Sequence, residues 1–142
     1  MELVKGQRTR VDALTAATTL GVDVTLDGPA PHDLGLFGLG ADGRLLGDEW
    51  MVFYNQPTSP GGAATLTARP DGGALTIDLT AVPPEVDRLV LTAAVDGDAT
   101  MAALRAGTVT ISAGEAEVAV HRTSGADFGD ERAVMVLELY RR

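Results

Sequence analysis

The sequence predicts an all-β protein whose strands pair antiparallel into a sandwich or barrel. Two observations carry that prediction. Apolar residues recur mostly with a period of two, the repeat of a strand with one face buried. Clusters of Gly, Pro and Asp interrupt these runs at short intervals, as turns do. Many short strands separated by turns bury their apolar faces only by stacking or closing sheets.

Taken in order, Leu20, Val22, Val24 and Leu26 alternate with Gly21, Asp23 and Thr25, which places the apolar set on one face. Trp50-Met51-Val52-Phe53-Tyr54 is apolar on both faces and reads as a central strand covered on both sides. Leu75, Ile77 and Leu79 alternate with Thr76 and Asp78, and Leu89, Leu91, Ala93 and Val95 repeat the pattern. Val109 with Ile111, Val118 with Val120, and the dense run Ala133 to Tyr140 complete the set. Ala41-Asp42-Gly43-Arg44 supplies the positive φ of a tight hairpin after Leu39, and Pro70-Asp71-Gly72-Gly73 does so before Leu75. Thr58-Ser59-Pro60-Gly61-Gly62 reads as a loop. Helical turns are expected at two places. One is Val82 to Val86, with proline at its start; the other is Asp98 to Arg105, capped by Asp98 or Thr100 and closed by Gly107. No linker, low-complexity tract or internal repeat divides the chain, so residues 1–142 are expected to form a single domain.

Composition bounds the function. A chain of 142 residues buries about 68% of its unfolded surface, and its 45% hydrophobic content supplies the core. Without cysteine there is no disulfide framework, thiolate nucleophile or Cys-ligated zinc. Twenty acidic against 11 basic residues give a net charge of −9, which opposes nucleic-acid binding and leaves cations or basic partners as candidates. The longest apolar runs, such as Leu89 to Val95, fall far short of a membrane span, and the start lacks a signal-peptide pattern. The expectation is a soluble cytoplasmic protein. Lys5 is the sole lysine, a bias that suits a GC-rich bacterial genome.

No motif specifies catalysis. Gly38-Leu39-Gly40-Ala41-Asp42-Gly43 spells a dinucleotide fingerprint, but too few residues follow it for the crossover helix that motif needs, so a hairpin is expected. His32 and His121 belong to no metal or nucleophile motif and read as surface or capping histidines; a small hydrolase built on either has no motif-level partner. The pairs Asp48-Glu49 and Asp130-Glu131 read as solvated charges. Asp33, Asp42, Asp48, Asp71, Asp96 and Asp98 lie in loops or near strand ends, where they serve either a hard cation or ordinary Asx turns.

Three segments together resemble one family, the TerD domain of bacterial tellurium-resistance and stress-response proteins. Leu3-Val4-Lys5-Gly6 is similar to its leading L-x-K-G strand. Gly40-Ala41-Asp42-Gly43-Arg44, Asp48, Val52-Phe53-Tyr54-Asn55-Gln56-Pro57 and Ser59-Pro60-Gly61 resemble its most specific block. Ile77-Asp78-Leu79, Val82-Pro83, Val86-Asp87-Arg88-Leu89-Val90 and Glu138-Leu139-Tyr140-Arg141 resemble its later signatures, in the right order.

The resemblance implies an antiparallel β-sandwich of two sheets with one or two short helical turns. It also implies no catalysis, no cofactor other than calcium, and a binding or scaffolding role with other stress-response proteins as partners. Calcium, in this family, is held by loop acids, and here the acids thin out. The F-D-L-D-A-S motif stands as His32-Asp33-Leu34-Gly35-Leu36-Phe37 and the D-x-D-F segment as Asp48-Glu49-Trp50-Met51, each with its second acid gone. A third acidic loop is replaced by Arg69-Pro70-Asp71-Gly72-Gly73. Asp33 and Asp48 remain as the candidate metal ligands of a degraded calcium site; the alternative is a calcium-dependent module that still uses them. Family members also continue past this chain's last residue with another strand. The resemblance therefore implies either a domain cut from a longer protein or a member that dispenses with that strand. An unpaired edge beside Val134 to Tyr140 would follow, open to homo-oligomer formation.

Overall fold

The alternation seen in the sequence becomes strands because each places one side-chain row on a dry face. The computed structural model describes residues 1–97 and 99–140. Its strands are β1 (Glu2–Leu3), β2 (Thr19–Asp27), β3 (His32–Leu39), β4 (Met51–Val52), β5 (Ala64–Arg69), β6 (Gly72–Asp78), β7 (Arg88–Val95), β8 (Ala106–Ala113), β9 (Ala116–Thr123) and β10 (Ala133–Tyr140), with one short helix, α1 (Val11–Leu14). They form a six-stranded sheet, β1-β9-β8-β2-β6-β5, and a four-stranded sheet, β10-β7-β3-β4. All pairings are antiparallel except that of β1 with β9. The architecture is the expected two-sheet sandwich.

The core is the space between the sheets. Leu20, Val22, Val24 and Leu26 of β2 are buried, as are Leu75 and Ile77 of β6 and Leu89, Leu91, Ala93 and Val95 of β7. Each large aliphatic side chain so buried contributes roughly 1.5–3 kcal/mol relative to exposure. The turn after β3 is the expected hairpin, not a nucleotide loop: Gly40 N–H donates to Arg44 O at 2.9 Å and Gly43 has φ 78°. Gly72, with φ 135°, opens β6 after the Pro70-Asp71 turn.

Four expectations need correction. Trp50 to Tyr54 is not a central strand: Asp48–Trp50 forms a 3-10 turn, only Met51 and Val52 pair, and they lie at the edge of the four-stranded sheet. The physical reason is Trp50 itself, whose ring turns inward over Gly38, after which Tyr54 swings out to 67% exposure. Val82 to Val86 is a reverse turn, Val86 N–H donating to Pro83 O at 3.0 Å, because its two prolines supply no donors of their own. In the second expected helix, Asp98 lies outside the described residues. The remainder holds a 3-10 turn at Met101–Ala103 with Thr100 preceding it but making no side-chain cap, while Gly107 belongs to β8. The two expected helical turns also left out α1 and the 3-10 turns at Pro60–Gly62 and Gly125–Asp127.

Side-chain bonding ties the six-stranded sheet across its strands. Arg69 on β5 reaches past β6 to Asp23 on β2, with N–O distances of 3.1 and 3.0 Å, and its Nε donates to Asp71 at 3.1 Å. The guanidinium is 36% and Asp23 49% exposed, so solvent screens the pair. Arg69→Ala is expected to cost about 1 kcal/mol in urea unfolding at low salt and less at 0.5 M NaCl, where the Debye length falls to roughly 4 Å. Arg69→Lys should recover little, because lysine lacks the two-pronged geometry.

Candidate functional site

The acidic residues gather unevenly. β3 begins with His32 and Asp33, which sit opposite Val95 and Ala94 of β7, and Asp96 follows directly as β7 ends. Asp96 N–H donates to Pro31 O at 3.0 Å, folding the turn back toward the start of β3. This brings the Asp33 and Asp96 carboxyls together. Partial burial, a hydrogen bond shared with Asp96 and repulsion from its charge push the Asp33 carboxyl above its ordinary pKa of 3.8. Such a pair holds a proton or offers oxygens to a cation, but it is only two groups.

Asp48 is elsewhere. It opens the 3-10 turn beyond the far end of β3, and its carbonyl accepts from Gln56 Nε2 at 2.7 Å. With Asp33 at one end of β3 and Asp48 past the other, a strand rise of about 3.3 Å per residue puts them roughly 20 Å apart. The structure does not bring these two residues together. Asp42 accepts from Arg44 N–H at 3.0 Å, the Asx-turn role, and Asp71 is engaged by Arg69. Asp98 falls outside the described residues. Among the described residues, no group of three or more His, Asp or Glu side chains is placed to hold a metal ion.

The histidines also depart from expectation. His32 is not a surface or capping residue: it is 2% exposed, on the inner face of β3 in phase with Leu34 and Leu36. Its ring lies against Gly28, where a Cβ would come within 3.1 Å of Cε1, and its Nδ1 has no hydrogen-bond partner. Burial lowers its pKa below the ordinary 6.5, and the Asp96 charge only partly opposes this. His121 is half-buried and turned to the backbone, Nδ1 lying 2.9 Å from Leu3 O. A carbonyl only accepts, so Nδ1 carries the proton and ties β1 to β9. One ring is sealed in the core and the other committed to a carbonyl, which leaves the hydrolase hypothesis without a base facing a substrate.

This sandwich, with its hairpin after β3 and its terminal β10, matches the TerD domain family over residues 1–142. The chain belongs to the TerD family. Among curated proteins it is similar to the tellurium resistance protein TerA of Alcaligenes sp, 29% identical over 93 residues. That alignment spans 65% of this chain but only 27% of the relative, so the chain corresponds to about a quarter of that protein. The fold is similar to that of a homologue of telluride resistance protein (TerD) from Streptomyces coelicolor A3(2), with a TM-score of 0.69 and 18% identity, covering 89% of this chain and 83% of the other. It is also similar to a crystal structure of a protein of unknown function, with a TM-score of 0.71 and 16% identity, covering 90% and 83%. This TerD chain is thus a divergent member. The segment His32 to Phe37 lies in β3, with His32 and Leu34 packed inward.

Proposed function

We propose that this TerD chain is a non-catalytic binding or scaffolding module of a bacterial stress response, acting in the cytoplasm through contacts made by its surface. The tellurium-resistance setting comes from the name of its relative TerA. The observation that carries the reading is the outer face of the four-stranded sheet. Across that face Phe37 lies beside Val90, and Gly35 beside Thr92, which pairs on its other side with Met135. Met135 is 61% and Tyr140 43% exposed. A solvated antiparallel sheet ordinarily presents polar residues there; this face carries the Arg88–Glu138 ion pair but surrounds it with half-buried Phe37 and Val90 and exposed Met135, the mixed apolar and polar surface of a contact site.

Partners on this reading are other stress-response proteins or a second copy. β10 lies at the edge of the four-stranded sheet and offers ladder groups to a second copy. A register shift between Met135 and Leu137 divides that edge into two short stretches. Sedimentation velocity tests the self-contact. Wild type is expected to associate with rising concentration, and Met135→Glu, at an exposed position, to stay monomeric with an unchanged melting temperature. Strictly monomeric wild type at millimolar concentration would remove a second copy as the partner.

A calcium-dependent module would draw on Asp33, with Asp96 now beside it, and on Asp48 for a separate contact. Two carboxylates supply few of the six to eight oxygens calcium takes (roughly, by its usual coordination). Calcium up to a few millimolar is therefore expected to leave thermal unfolding unchanged. A saturable rise that Asp33→Asn abolishes would establish the calcium-dependent reading instead.

A further inference from the structure

One side of the sandwich is incompletely filled. There the six-stranded sheet ends in β9 and β1, the four-stranded sheet ends in β10, and the segment from Leu3 to Thr15 lines the gap between them. Three cavities of about 480, 100 and 210 Å³ lie along this segment. The middle one shares Leu139 and Tyr140 with the largest, and Ile111 and Leu137 with the third, so the three form a row. The inner chamber is walled by core side chains of both sheets, among them Leu26, Ala93, Val109 and Val134. A row with a narrow middle suits a flexible apolar chain better than a fused ring system.

The segment that lines the row is cationic. Lys5, Arg8 and Arg10 fall within six residues that contain no acid, in a chain of net charge −9. At the wide mouth, Arg10 is paired with Asp12 at 2.7 Å, and Arg88 with Glu138 at 3.1 Å and Asp87 at 3.6 Å. Those acids are therefore neutralised where they stand. Arg8 differs: its guanidinium lies over the ring of Tyr140, 5.9 Å from guanidinium carbon to centroid. A guanidinium over a ring keeps its edge donors for an anion.

We infer that this row of cavities is a binding site for a single-chain anionic amphiphile, a fatty acid by chemical class, with its tail between the sheets and its carboxylate on Arg8. The inference does not rest on the protein-contact reading, although Tyr140 borders both surfaces.

Sodium dodecanoate below its micellar concentration is the probe, with dodecanol and dodecyltrimethylammonium as neutral and cationic controls of equal chain length. Calorimetry on the full chain is expected to show saturable one-to-one binding of dodecanoate, about tenfold tighter than dodecanol, with the cation weakest. Arg8→Ala should weaken dodecanoate about tenfold and leave dodecanol unchanged. Methyl resonances of Leu26 and Leu137, which line the inner chamber, should shift on saturation, and cooperative melting of the variant confirms its fold. Absence of saturable dodecanoate binding, equal affinity for all three head groups, an unaffected Arg8→Ala, or shifts confined to surface methyls would each overturn the site.

Discussion

Gly38→Val is expected to destabilise the protein by about 3 kcal/mol, within the range set by overpacking and by dislodging a buried aromatic. A Cβ at position 38 would lie 2.6 Å from Trp50 Cε3 and 2.8 Å from Cδ2, closer than side-chain carbons approach one another. Gly38 occupies the inner-face row of β3, in line with Leu34 and Leu36, where every other residue sends a side chain into the core. Its missing side chain is the space that Trp50 fills from the adjacent 3-10 turn, and Trp50 is 5% exposed there. Valine leaves the ring two outcomes: a strained rotamer in place, or expulsion with a cavity behind it. Gly38→Ala should cost less, and Trp50→Leu should cost about 2–4 kcal/mol as a large-to-small change. The double variant Gly38→Val with Trp50→Leu should then be more stable than the sum of the two losses predicts, by roughly 1–2 kcal/mol. Chemical denaturation of the four proteins closes the cycle. Additive losses would show that the two positions do not share one volume. Because Trp50 is the only tryptophan, its emission in the single variant also reports directly whether the ring has moved into water.

That pair also shows why part of the fold was legible and part was not. Strands β2, β6, β7 and β8 carry their own period-two signal, and their buried rows are the ones the alternation names. β3 carries the same phase, but two of its eight positions are glycine and one inner-face position is His32, so an apolar count passes over it. The inner face at position 38 is completed by a residue twelve positions later, and no local pattern holds such information. Trp50 to Tyr54 erred in the opposite direction. It is apolar throughout, and periodicity cannot distinguish a strand covered on both faces from a turn that buries one ring and exposes another. At the candidate site, sequence offered acids singly. Only the antiparallel register of β3 with β7 shows that Asp33 meets Asp96, and only the length of β3 separates Asp33 from Asp48. The row of cavities had no sequence signature, since its walls come from both sheets and the N-terminal segment.

His32 makes acid sensitivity the second large effect. The ring is enclosed on the inner face of β3, its Nδ1 unbonded, and burial holds its pKa below the unfolded value of 6.5. The folded state therefore binds fewer protons at this position than the unfolded chain does. Stability from this group is present in full above pH 6.5 and is lost as pH falls below 6.5 toward the depressed folded value. Within that window the slope approaches about 1.4 kcal/mol per pH unit, the limit for one proton. The carboxylates act lower on the scale. Asp78, bonded by Thr80, and Asp127, bonded by Thr123 and the Ser124 N–H, have pKa values below 3.8, so their contribution persists until pH drops beneath that range. Asp33 works the other way: its raised pKa makes the fold bind a proton more readily than the unfolded chain, opposing the loss from His32 near pH 4. The acid limb between pH 6.5 and the carboxylate range should thus belong mainly to His32. His32→Leu fills similar space without a titrating nitrogen and is expected to flatten that limb while holding stability at pH 8 within about 1 kcal/mol of wild type. Urea unfolding of both proteins from pH 8 to pH 4.5 measures it. Parallel curves would mean that the ring takes up its proton inside the fold at no cost, and would place the source of acid sensitivity outside the core.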